Sequence, residues 1–158
     1  MQPGRWRRVT NRSTSHPAGI PNVRDTAYGL QVLTRLPFDT ALDQTTAALK
    51  SEGFGIITTI DMTATLKAKL GKDIRKYTIL GACNPVLADR ALEAELEVGL
   101  LLPCNVVVYE DDAGRTVVSA MAPVAALGVV GGNPALAEVA READAKLRRA
   151  LVAVEAAG

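Results

Sequence analysis

Alternating apolar and polar positions along the body of the chain predict five strands. The first begins at Tyr28 and runs to about Leu36, where Pro37 stops it. The others are predicted over residues 54–62, 77–83, 104–110 and 115–122, which are rich in β-branched residues. The short segment 111–114, which ends in Gly114, predicts a hairpin turn between the last two strands.

Apolar residues at helical spacing predict helices between and after these strands. Asp39 is the expected N-cap of the first helix, and Gly53 is expected to end it in a left-handed conformation. A second, short helix is predicted over 63–70, ending at Gly71. A third begins at Asn84 and Pro85 and runs to about Glu97, with Gly99 closing it.

The last helix begins at Asn133 and Pro134, which repeat the same capping signature. Its apolar residues form one stripe, with charged residues on the opposite side: Leu136, Val139, Ala140, Ala143, Leu147, Ala150, Leu151 and Val154. A run of strands that ends with a helix is typical of an α+β domain with helices packed on one sheet face. We therefore predict a single domain over residues 25–158.

Charge separates the first part of the chain from this domain. Residues 1–24 carry five arginines and no acid, whereas the remaining chain carries thirteen basic and seventeen acidic residues, a net charge of −4. Prolines, glycines and serines interrupt residues 1–24, so we predict a disordered basic leader there. The acidic body makes nucleic-acid binding an unfavoured hypothesis, which would require the leader to contact phosphates.

Composition excludes several classes of protein. Of the 158 residues, 48% are apolar and 22% charged, as in an ordinary globular domain. Two cysteines are too few for a disulfide-rich secreted scaffold, and the single histidine, His16, excludes a three-histidine zinc site. No apolar segment follows the arginines as in a signal peptide, and prolines and glycines interrupt the longest uncharged run, 116–137. We predict a cytoplasmic protein without a membrane span, metal or cofactor.

Two Cys-Asn motifs give the chain a family resemblance. The segments Leu80-Gly81-Ala82-Cys83-Asn84-Pro85 and Leu101-Leu102-Pro103-Cys104-Asn105-Val106-Val107-Val108, together with 53–70, resemble the DUF302 family over residues 28–155. The resemblance implies a β-α-β(4)-α (TBP-like) arrangement with an antiparallel sheet of about five strands. It implies no established activity.

The two motifs also supply the candidate site. Cys83 ends the third predicted strand and Cys104 begins the fourth, so parallel strands would separate the thiols by a strand length. If the strands are antiparallel, as the resemblance implies, both thiols fall at the same end of the sheet, at about 5 Å between Cα atoms if they pair directly. Cys83 precedes a helix start, which favours a thiolate, and Asn84 and Asn105 offer amides to a ligand. The structural alternative is that the thiols are buried and that Asn84 only caps a helix.

Two other segments are weaker candidates for a site. The loop 128–133 follows a strand and precedes a helix but matches no phosphate-binding motif, so a flexible connector is favoured. Asp61 ends an apolar strand, where it is expected to act as a turn or capping acid rather than a catalytic one.

We therefore predict a non-enzymatic module that binds a small ligand or a partner at Cys83, Asn84, Cys104 and Asn105. The alternative is a thiol-dependent redox or sulfur-handling protein in which Cys83 is the nucleophile and Cys104 resolves the adduct. The apolar runs at 100–102 and 106–108 exceed the needs of one sheet face, which predicts a homodimer through the open face or an edge of the sheet.

Overall fold

The computed structural model describes residues 22–158 of the chain. The strands are Arg24–Asp25 (β1), Gly29–Thr34 (β2), Gly55–Asp61 (β3), Tyr77–Cys83 (β4), Cys104–Glu110 (β5) and Thr116–Met121 (β6). The α-helices are Phe38–Ser51 (α1), Met62–Leu70 (α2), Pro85–Ala94 (α3), Pro123–Leu127 (α4) and Pro134–Ala156 (α5). Two 3₁₀ turns follow α3 and α4, at Leu96–Leu101 and Gly128–Val130.

The strands form one open sheet in the order β1-β2-β6-β5-β4-β3, and every neighbouring pair is antiparallel. This confirms the predicted α+β class and the single antiparallel sheet. The sheet has six strands rather than about five because Arg24 and Asp25 pair with Gln31 and Leu30. On the face away from the helices, Tyr77 and Tyr109 stack with ring centroids 5.4 Å apart.

The core consists of two clusters that share α5. The main cluster lies between the sheet and helices α1 and α5, and its most buried side chains include Leu30, Val106, Val118 and Leu147. The second cluster joins α3, α4 and the Leu96–Leu101 turn to the first half of α5. All eight residues of the predicted stripe on α5 are buried, so that prediction is confirmed.

Most predicted helix boundaries are confirmed, because the caps are local. Asn84 and Asn133 each accept a hydrogen bond from the backbone N–H three residues ahead, at 3.3 and 3.1 Å. Gly53 and Gly71 take the left-handed conformation, with φ of 85° and 63°.

Two predicted boundaries are wrong. Asp39 is not an N-cap, because α1 begins at Phe38 and its N-cap is Pro37. Phe38 is buried in the main cluster, and this packing fixes the first turn of the helix. Helix α3 ends at Ala94 rather than near Glu97, because the Asn133 amide donates to the Ala94 carbonyl at 3.0 Å. Gly99 therefore lies inside the following 3₁₀ turn.

The predicted leader, residues 1–24, lies almost wholly outside the described residues. Of its last three residues, Arg24 belongs to β1, and the Asn22 N–H donates to Glu155 of α5 at 2.9 Å. Within residues 22–158, no helix is both long enough and apolar enough to cross a membrane.

Candidate functional site

The ends of β4 and β5 bring the two cysteines together. Cys83 is the last residue of β4 and Cys104 the first of β5, so the antiparallel pairing sets both thiols at the same end of the sheet, as expected from the motifs. They are not directly paired, because the register sets Cys104 opposite Ala82. Both cysteines are free and partly buried.

Both cysteine residues line a partly open cavity of about 260 Å³. The cavity lies between the two core clusters, where the facing side chains on β4, α3 and α5 are small: Ala82, Ala88, Ala91 and Ala143. Larger apolar groups complete the wall, among them Phe54, Leu102 and Val139. Alanines on three elements leave a volume that the neighbouring core residues do not fill.

Cys104 is held as a neutral thiol. Cys104 packs against the main cluster, and this burial raises its pKa to about 11, with a smaller electrostatic contribution from Cys83. A thiol with that pKa is almost entirely protonated near neutral pH, so it donates and accepts only weak hydrogen bonds. Cys104 is therefore poorly suited to nucleophilic attack.

Asn84 is buried and its side chain is occupied by the protein. Its carbonyl oxygen caps α3 at Leu87, and its amide donates to the Glu52 carbonyl at 3.5 Å. The Glu52 carboxylate is in turn held by Arg149 of α5, at 2.9 Å. Because Pro85 has no N–H and the Leu87 N–H is already bound, few backbone donors remain at this helix start for an anion.

Asn105 lies apart from the other three candidate residues. It is exposed and does not line the cavity. Side chains alternate along a strand, so Asn105 leaves β5 on the face opposite Cys104, in the row that contains its partner Gly81. The structure thus brings together Cys83, Asn84 and Cys104, but not Asn105.

The remaining candidate segments have structural roles. Asp61 caps α2, since its carboxylate accepts from the Ala64 N–H at 2.9 Å, as the capping interpretation predicted. In the loop 128–133, Gly131 and Gly132 have positive φ and lead into the Asn133 cap of α5. Within residues 22–158, no three His, Cys, Asp or Glu side chains form a metal-binding group.

Most of the cavity wall consists of residues that the sequence motifs did not predict. Ala88, Ala91 and Ala143 contribute to it because small side chains on α3 and α5 face each other across the seam between the clusters. The available signal was the run of alanines on the buried stripes of these helices.

A larger depression of about 1100 Å³ lies beside β1 and β2. It is lined by four basic and four acidic residues, so its balanced charge favours neither an anionic nor a cationic ligand.

Comparison with known proteins identifies the family. The family model for the domain of unknown function DUF302 matches residues 30–154. The crystal structure of an uncharacterized conserved DUF302 protein from Bacillus stearothermophilus is similar, with a TM-score of 0.73 and 32% sequence identity over 78% of this chain and 94% of that one. No curated protein matches the sequence. With its two Cys-Asn motifs on neighbouring antiparallel strands, the chain belongs to the DUF302 family.

Proposed function

We propose that the protein binds a small, uncharged, mainly apolar molecule in the cavity beside Cys83 and Cys104. The observation that carries this proposal is the cavity itself, about 260 Å³ with an almost wholly apolar lining. An apolar cavity of about 150 Å³ is known to stay dry and to take up benzene. A site of this size therefore suits a one- or two-ring compound or a short branched chain.

The polar groups around the cavity favour an uncharged ligand. Cys104 is neutral because burial raises its pKa to about 11, and the Asn84 side chain is committed to Leu87 and Glu52. In the described part of the chain no charged residue lines the cavity, so an ion there would lose its hydration without compensation. The Cys104 thiol is left as a weak hydrogen-bonding group that orients the ligand. Free thiols also fit a cytoplasmic location, where they are kept reduced.

Binding of 6-propionyl-2-(dimethylamino)naphthalene, a neutral fluorescent probe with two fused rings, tests the proposal. We expect saturable binding to the wild-type protein and at least a tenfold weaker affinity after Ala88→Phe, which fills the cavity. Ala137→Phe is the matched control, because Ala137 is exposed on α5 and does not line the cavity. Absence of binding, or equal affinity for all three proteins, would contradict the proposal.

Thiol chemistry is the second candidate, because both cysteines line the same cavity. The two functions differ in their dependence on sulfur. A binding site retains its affinity for the probe to within about threefold after Cys83→Ser, since the apolar wall is unchanged. A thiol-dependent protein loses its activity with Cys83→Ser, whereas Cys104→Ser accumulates a mixed adduct at Cys83. Mass spectrometry of the protein after treatment with glutathione disulfide detects that adduct.

A further inference from the structure

The two edges of the sheet are protected to very different degrees. Strand β1 at one edge has two residues, both charged, and Asp25 forms an ion pair with Arg148. Strand β3 at the other edge has seven residues, and among residues 22–158 no strand pairs with its outer side. Short, charged edges resist pairing with another chain, whereas long β-branched edges favour it.

The exposed edge at β3 has few of the usual protecting features. Six of its seven residues are exposed, with Ile57 at 62% and Ile60 at 44%. It contains no proline and no lysine, and its one charged residue, Asp61, is engaged as the cap of α2. Helix α2 turns toward β4 instead of covering this edge, since Thr63 bonds to the backbone of Arg75 and Tyr77.

We propose that a second copy of the chain pairs with β3 through its own β3, antiparallel and related by a two-fold axis. Such an axis is perpendicular to the sheet, so each side chain lies on the same sheet face as its counterpart in the second copy. After the bulge at Ile57, residues 58–61 are in regular register with β4. The register centred on Thr59 places residues 58–60 of the two copies opposite each other, with Thr59 opposite Thr59 of the second copy and Thr58 opposite Ile60 of the second copy.

The chemistry of β3 fits a copy of itself. In this register the central pair is threonine with threonine and the two flanking pairs are threonine with isoleucine, which are favourable cross-strand neighbours. No like charges oppose each other within residues 58–60. The helices of both copies lie on the same face of one continuous sheet.

The pairing also brings the second copy near the cavity. Ile57 is the bulged residue at the end of the regular segment, and it contributes to the cavity wall. A second β3 therefore runs past Ile57, the only β3 residue among those that line the cavity. The proposal concerns assembly and stands whether or not the cavity binds a ligand.

The mass of the full chain in solution tests the proposal. We expect light scattering to give about twice the 16.7 kDa chain mass at micromolar concentration. Thr59→Lys sets two lysines opposite each other, so its mass is expected to fall to that of one chain. Thr40→Lys, at an exposed position on α1, is the matched control and keeps the dimer. A wild-type monomer at millimolar concentration, or a dimeric Thr59→Lys protein, would overturn the proposal.

Cross-linking tests the register and does not depend on a disruptive substitution. Thr59→Cys should form a disulfide-linked dimer under mild oxidation, because directly opposed residues on antiparallel strands lie within reach of a disulfide. Thr40→Cys should remain mostly unlinked, which controls for collisions and for reaction at the native cysteines. Equal cross-linking of the two variants would refute pairing centred on Thr59.

Discussion

At the scale of single residues, the main chemical feature is the Cys104 thiol in an apolar environment. Cys104 is inserted among core residues, and the loss of solvation raises its pKa to about 11. The thiolate expected from the sequence belongs to Cys83, beside the start of a helix, and stays a prediction. At Cys104 burial penalises the charged form, and among residues 22–158 no cation lines the cavity to offset that penalty.

The raised pKa of Cys104 predicts a specific dependence of stability on pH. Between about pH 9 and pH 11 the unfolded thiol ionises while the folded thiol keeps its proton, so the free energy of unfolding falls as pH rises. At about 1.4 kcal/mol per pKa unit, the wild type should lose about 2 kcal/mol more than Cys104→Ala between pH 8 and pH 10.5. Urea denaturation at both pH values measures the difference. Equal losses in both proteins would show that Cys104 is not held neutral.

At the scale of elements, local signals set where helices begin and tertiary contacts set where some end. Asp61, Asn84 and Asn133 each cap a helix with their own side chain, so these starts were predictable from sequence. The end of α3 depends on the Asn133 amide, which is 39 residues away from Ala94 in sequence. No pattern near Ala94 carries that information.

The close contact between the paired strands β3 and β4 at Gly81 gives a prediction at the same scale. A Cβ added at Gly81 would lie 2.0 Å from Thr58 Oγ1 and 3.0 Å from the Pro103 ring. Gly81→Ala should therefore destabilise the protein by about 1–3 kcal/mol, as overpacking does. Adding Thr58→Ala removes the closest atom and should restore most of the loss. Urea denaturation of the two variants and of Thr58→Ala alone measures the coupling, and a purely additive result would count against this contact.

At the scale of the whole molecule, α5 joins two clusters that do not fill the space between them. Its C-terminal half packs on the sheet, and its N-terminal half packs on α3 and α4. The cavity follows from this division, because alanines on α3 and α5 face one another where the clusters meet.

Two neighbouring alanines on α5 test whether that space exists. Ala140 and Ala143 are 3% and 4% exposed, but only Ala143 lines the cavity. Ala140→Leu should cost about 1–3 kcal/mol of stability through overpacking. Ala143→Leu should cost less than about 0.5 kcal/mol, because its added carbons enter open apolar volume. Chemical denaturation compares them, and similar losses would indicate a filled interior.

The sequence alone determined the features that arise within a few residues. Side-chain capping determines the helix starts at Asn84 and Asn133. The backbone freedom of glycine determines the left-handed ends at Gly53 and Gly71, and apolar periodicity determines the buried stripe of α5. The motifs also indicated that Cys83 and Cys104 share one end of the sheet.

Only the tertiary structure decided the rest. The strand register placed Cys104 opposite Ala82, and strand alternation separated Asn105 from the cavity. The pairing of β1 and the end of α3 depend on contacts with residues outside the local sequence. The cavity wall depends on the volume left between packed elements. Periodicity shows which side of an element is buried, but the space left between two buried sides depends on how the elements pack.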